Sequence, residues 1–142
     1  MTDKPLGIPD YPLAETRPDH VRGARGLSLE DITLDAVIEG RVGMEDLRIT
    51  ADALLQQAEI AEAAGRPTLA DNFRRASELI AVPQPVIMEI YELLRPGRAP
   101  GKQAMLDTAA RLRAEFGAER IAAFVEEAAD VYQRRGLFTF RY

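Results

Sequence analysis

Between residues 58 and 94 three apolar stripes are interrupted twice, by Gly65-Arg66-Pro67 and by Pro83-Gln84-Pro85. A proline inside a helix removes a hydrogen bond and clashes with the preceding turn, so this stretch cannot fold as one long helix. Glycine takes the left-handed turn that closes a helix at little cost, and the N–H that proline lacks is not needed in a first turn; Gly65 therefore ends one helix and Pro67 begins the next. The two form a helical hairpin. After Pro83 and Pro85, Ile87, Ile90, Tyr91 and Leu94 recur at i, i+3, i+4 and i+7, one face of a third helix.

Upstream, residues 1–27 carry Pro5, Pro9, Pro12 and Pro18 together with Gly7, Gly23 and Gly26, and no helical stripe develops. Tyr11, Leu13, Val21 and Leu27 give this segment more apolar content than a solvating tail, which predicts an extended arm laid on another surface. Arg17, Arg22 and Arg25 surround the single histidine, His20, and leave the arm locally basic, as a solvated loop or an ion-pairing strip. From 28 to 50, Ser28 with Asp31 and then Thr33 supply N-caps for a short helix with Leu34, Val37 and Ile38 on its apolar side; Gly40 ends it and Thr50 caps the next long helix.

The helix over 51–64 places Leu54, Leu55, Ala58 and Ala61 on one side. Ile60 falls off that stripe, which predicts a second contact, with the arm or with another chain. The next helix, 67–82, aligns Leu69, Phe73, Ala76 and Ile80, and on its other face sets Asp71 four residues before Arg75 and Arg74 four before Glu78, each pair worth about 0.2–0.5 kcal/mol. Residues 95–101 are a breaker-rich surface loop. Two further helices complete the chain: 102–116, with Met105, Ala109, Leu112 and Phe116 aligned and Gly117 as stop, and 119–135, with Ile121, Phe124, Val125, Ala128 and Tyr132 aligned and Gly136 as cap. The aromatic tail, with Phe138 and Phe140, docks on the fold or on a partner.

These elements predict an all-α protein, an open up-and-down helical bundle (51–142) preceded by an irregular, extended N-terminal arm with one short helix (1–50). Chemistry is scarce in it. The chain has no cysteine, hence no disulfide, thiolate nucleophile or cysteine-held metal, in keeping with a cytoplasmic location. The start lacks the pattern of a signal peptide, and no apolar run approaches the roughly 20 residues of a membrane span. With 18 Lys and Arg against 23 Asp and Glu, and the arginines interleaved with acids, nucleic acid is a disfavoured partner. His20 has no nucleophile elbow to serve, no helix holds the Glu-x-x-His pairs of a di-metal bundle, and no glycine-rich phosphate loop is present. Residues alone describe a small, acidic, helical interaction protein without catalytic, cofactor-binding or metal-binding residues.

The order of several blocks says more. Tyr11-Pro12-Leu13-Ala14, Pro18-Asp19-His20-Val21, Asp31-Ile32-Thr33-Leu34 and Arg48-Ile49-Thr50 are succeeded by Gln57-Ala58-Glu59-Ile60-Ala61-Glu62 and Ala70-Asp71-Asn72-Phe73-Arg74-Arg75-Ala76. Glu89-Ile90-Tyr91-Glu92-Leu93-Leu94-Arg95-Pro96-Gly97-Arg98 and Ala123-Phe124-Val125-Glu126-Glu127-Ala128-Ala129-Asp130-Val131-Tyr132 complete the series. Over about residues 11–135 this resembles the small (gamma) subunit of adenosylcobalamin-dependent diol and glycerol dehydratases.

The resemblance implies a complex with large (alpha) and medium (beta) subunits, two copies of each chain. It dehydrates propane-1,2-diol, glycerol or ethylene glycol to aldehydes by radical chemistry. Adenosylcobalamin is then held by the partner subunits, and the substrate barrel, which takes about 250 residues, belongs to the large one. On this reading the small chain contributes contacts, and the candidates are Tyr11, Leu13 and Arg17 of the arm, Asn72, Arg74 and Arg75 of the central helix, and Phe138 and Phe140 of the tail. Internal surface ion pairs are the other reading of Arg74 and Arg75. Only ten residues precede the Tyr-Pro-Leu block, shorter than in small subunits destined for microcompartments, which favours a freely cytoplasmic complex. A helical adaptor or regulator outside any enzyme is the alternative.

Overall fold

Local signals set the helix boundaries. In the computed structural model, which describes residues 4–139, Thr33 Oγ1 accepts the Ala36 N–H at 3.2 Å and Thr50 Oγ1 accepts the Ala53 N–H at 3.1 Å, starting α2 (Leu34–Ile38) and α4 (Ala51–Ala63). At the end of α4, Gly65 adopts φ 71°; its N–H bonds Glu62 O and the Arg66 N–H bonds Ala61 O, both at 2.9 Å. This is the paired closure of a Schellman motif, and α5 (Pro67–Leu79) starts directly after it. Among the described residues there is no β-strand, only an isolated antiparallel bridge between Arg22 and Ser28. The protein is all-α.

The chain divides into two compact units, Met1–Ser77 and Glu78–Tyr142, whereas the sequence reading set the division at residue 50. The physical reason is Ile60. Its side chain is buried with Leu6 and Leu13, with Val21 packed against them, so α4 belongs with the arm. Two polar contacts reinforce this: the Leu6 N–H donates to Glu59 at 3.0 Å and Gln56 Nε2 donates to His20 O at 3.2 Å. The irregular arm itself runs as short turns, around Ile8–Asp10, α1 (Leu13–Thr16) and Pro18–His20. In the α4–α5 hairpin the buried residues are small, Ala58, Ala61 and Ala70, with Phe73 packed against them. Leu69, expected inside, is exposed because alanine-on-alanine contact places the helices' seam one residue around from it, and Ile80, also expected inside, lies beyond the end of α5 and is exposed.

The second unit holds α6 (Gln84–Leu94), α7 (Lys102–Phe116) and α8 (Glu119–Arg134). A two-residue connection makes α7 and α8 antiparallel, and Lys102 at the start of α7 pairs with Asp130 late in α8 at 2.7 Å. Met105, Ala109 and Leu112 point inward as the spacing predicts. On α8 the inward set is Ile121, Ala122, Val125 and Ala129, while Phe124 is exposed and Ala128 and Tyr132 are half-buried. The seam again follows the alanines, which admit close helix approach, and the bulky Phe124 is left at the edge.

Glu78 departs from its expected pairing with Arg74. Its carboxylate accepts the backbone N–H groups of Arg120 at 3.0 Å and Ile121 at 2.9 Å, two of the unpaired donors in the first turn of α8. Glu78→Ala is therefore expected to destabilise the second unit by about 1 kcal/mol, the usual worth of an N-terminal cap. Urea unfolding followed by helix circular dichroism checks this, and an unchanged midpoint would remove Glu78 from that role.

Candidate subunit interface

The chain offers surfaces rather than a catalytic cleft, and each interface residue expected from the sequence has a definite place. Tyr11 is exposed beside the cis Tyr11-Pro12 bond and lines an open groove of about 460 Å³ with Ile8, Gln57, Arg66, Leu69 and Phe73. Leu13 is buried against Leu6 and Ile60 within its own unit. Arg17 is half-buried and pairs with Asp10 at 3.2 Å and Asp19 at 3.7 Å, and its guanidinium also contacts the His20 ring. The Gly7 N–H first and Arg17 second hold the Asp10 carboxyl below its usual range.

On α5, Arg74 bonds Glu62 of α4 and Asp71 at 3.2 Å, and Arg75 bonds Asn72. Arg74 therefore makes ion pairs within the chain. Helical spacing offered it Glu78, but the hairpin turn brings Glu62 within reach and α8 takes Glu78. Phe138 packs on the second unit's core and meets Tyr132 edge-to-face at 6.2 Å, while the Gly97 N–H bonds Leu137 O at 3.2 Å. That part of the tail docks on its own fold. Phe140 lies outside the described residues.

What sequence reasoning missed lies between residues 29 and 50. There the apolar side of α2 is turned outward: Leu34 is 76% and Ile38 73% exposed while Ala36 is fully buried. The next helix, α3 (Met44–Leu47), repeats the arrangement: Met44 is 70% exposed, Leu47 and Ile49 are also exposed, and Val42 and Asp46 are buried. Two contacts turn the helices this way. The Arg41 and Val42 N–H groups both bond Ala36 O, at 2.9 and 3.1 Å, folding the link back on the Ala36 side. Arg25 then anchors Asp46 through Nε at 2.8 Å and through its Nη2. On α2 the available signal was the small residue opposite the stripe, Ala36, since a five-residue helix has room to bury only one side.

Among the described residues no three His, Cys, Asp or Glu side chains are grouped to hold a metal ion, and no helix is long and apolar enough to cross a membrane. A chain that turns large apolar side chains outward from polar, anchored turns presents a surface suited to another protein. Residues 6–139 match the family described as the dehydratase small subunit. The chain belongs to that family. It is 45% identical over 134 residues to the propanediol dehydratase small subunit of Salmonella typhimurium, covering 94% of this chain and 77% of the relative. It is 46% identical over 128 residues to the propanediol dehydratase small subunit of Citrobacter freundii, covering 90% and 74% respectively. As a dehydratase small subunit it is a non-catalytic chain that works with other dehydratase subunits.

Proposed function

We propose that this chain is the small subunit of an adenosylcobalamin-dependent diol dehydratase of the cytoplasm, assembled with large and medium subunits in two copies each. The complex converts propane-1,2-diol, and by the same chemistry glycerol and ethylene glycol, to the corresponding aldehydes. The observation that carries this reading is 45% identity across 94% of the chain to a relative named for propanediol dehydratase. The cofactor supplies the radical chemistry when bound by the partner subunits. This chain's own residues do not fit it: the one imidazole, His20, has its Nε2 against the Arg17 guanidinium and 3.5 Å from Asp19. What the chain does is bind and brace its partners.

Co-expression of the three chains, with aldehyde formation from propane-1,2-diol plus adenosylcobalamin as readout, tests the proposal. Omitting this chain is expected to abolish both stable assembly and activity. Intact assembly and full activity without it would overturn the reading in favour of an adaptor outside the enzyme.

A further inference from the structure

Resting on the small-subunit reading, we infer that the outward face of α2 and α3 is the surface through which this chain docks on another dehydratase subunit, and that the subunit meets it with an apolar patch flanked by Lys or Arg. The apolar part is Leu34, Val37, Ile38, Met44, Leu47 and Ile49, all exposed. Ala36 of α2, Val42 of the link and Asp46 of α3 are buried, which leaves the large apolar side chains of both short helices exposed. Six large apolar residues within 16 positions far exceed the scattered single exposures normal on a surface.

Charge identifies the occupant. Residues 28–52 hold seven Asp or Glu against two Arg, Arg41 and Arg48. Some of the acids are committed within the chain: Asp31 to Ser28, Asp46 and Glu45 to Arg25, and Glu39 to Arg41. Glu30, Asp35 and Asp52 are exposed and make no ion pair among the described residues. An apolar segment interspersed with exposed, unpaired carboxylates repels a second copy of itself and an anionic lipid surface alike. It complements a basic-rimmed apolar patch, with the apolar centre carrying affinity and the rim carrying orientation and association rate.

The test uses the full chain co-expressed with the large and medium subunits, one of which carries a tag. One variant replaces Leu34, Ile38 and Met44 by serine; a second changes Glu30→Gln, Asp35→Asn and Asp52→Asn; a third, Tyr91→Ser, alters an exposed aromatic of α6 as a control. The serine variant is expected to lower the amount of small chain recovered with the tagged subunit by more than about ten-fold, the loss typical of several hot-spot truncations. The amide variant is expected to weaken recovery at low salt and to lose the salt dependence that the wild type shows, because rim charges are screened over about 10 Å at 0.1 M salt. Tyr91→Ser should behave as wild type. Circular dichroism of each small chain shows whether it is folded, and the amide variant, which leaves every apolar side chain in place, decides the matter if the serine variant is not. Recovery of both variants at wild-type level, with wild-type salt dependence, would overturn this surface while leaving the small-subunit reading intact. Failure of the wild-type chain itself to co-purify would instead overturn that reading.

Discussion

Leu112→Ala is expected to remove about 3 kcal/mol from the stability of the second unit. Leu112 lies mid-way along α7, is 1% exposed, and shares its core with Met105 and Val125. Its other neighbours on the seam include Ala109, Ala122 and Ala129, whose single methyl groups have no rotamers with which to fill a cavity. The cost therefore falls in the range where the site does not collapse, combining the lost transfer free energy with the void left behind. Urea unfolding followed by helix circular dichroism should show a lower midpoint with an unchanged slope for the affected transition. Tyr91→Ala, on an exposed position of α6, should stay within about 0.5 kcal/mol of wild type. A cost below about 1 kcal/mol for Leu112→Ala would mean that α7 turns a different face inward.

The second large effect is expected at Asp46, the one buried charged side chain among the described residues. It joins two pieces of backbone, the 22–28 turn and the start of α3. Arg25 holds it from the 22–28 turn, the Gly43 N–H donates to it at 2.9 Å at the start of α3, and a Cβ placed on Gly23 would lie 3.1 Å from Asp46 O. Asp46→Asn breaks the charge pair and leaves Arg25 with Glu45 at 3.3 Å and Arg41 O at 2.9 Å. Tryptic cleavage after Arg25 in the folded chain should then rise by about an order of magnitude, since cleavage tracks the population of the locally opened form. The Arg25 hydrogen bond first, and the Gly43 N–H second, hold the Asp46 carboxyl at about 2, below its ordinary 3.8. A depressed carboxyl contributes stability that is fully present above its unfolded value and disappears as the pH falls through the folded one. The stability gap between wild type and Asp46→Asn should therefore be constant near neutrality and close between about pH 4 and pH 2. A gap unchanged down to pH 2 would show that Asp46 is not held by charge. Loosening this anchor should also disturb the outward face of α3, linking the stability of the turn to docking.

Much of the fold was legible because it is written in residues that act within one helical turn. Gly65 and Gly136 close α4 and α8 in left-handed conformation, and Thr33 and Thr50 cap α2 and α4, each at the expected position. Ile60 was legible as a residue needing a second contact, although its position on the helix could not tell the arm from another chain. Where a side had to be assigned, periodicity failed in a particular way. On α8 it favoured Phe124 over Ala122 and Ala129 because size suggested burial, whereas close helix packing selects the smallest side chains for the seam. On α2 it found the apolar side and left open what that side meets, and the fold turns it outward.

The ion pairs failed for a related reason. Arg74 had carboxylates at helical spacing, but Glu62 reaches it across the hairpin and Glu78 is drawn to the N-terminal N–H groups of α8. Spacing along one helix determines which side chains are neighbours in isolation and says nothing of a competitor arriving from another element. Among the interface candidates, Leu13 and Phe138 are covered by their own units, and Tyr11 remains exposed on its groove. The stretch with the most exposed apolar surface, from Leu34 to Ile49, was not among the interface candidates.

Alone, the sequence determined the all-α class, the breaks at Gly65, Pro67 and Pro83, the caps and the order of blocks that marks the family, all of which depend on chemistry local to a turn or on linear order. The tertiary structure decided which apolar faces are covered. A stripe of Leu, Val and Ile carries the same periodic signature whether it meets its own chain or waits for another. Only the anchoring of Asp46 by Arg25 and of the 41–42 link on Ala36 turns that of α2 and α3 outward.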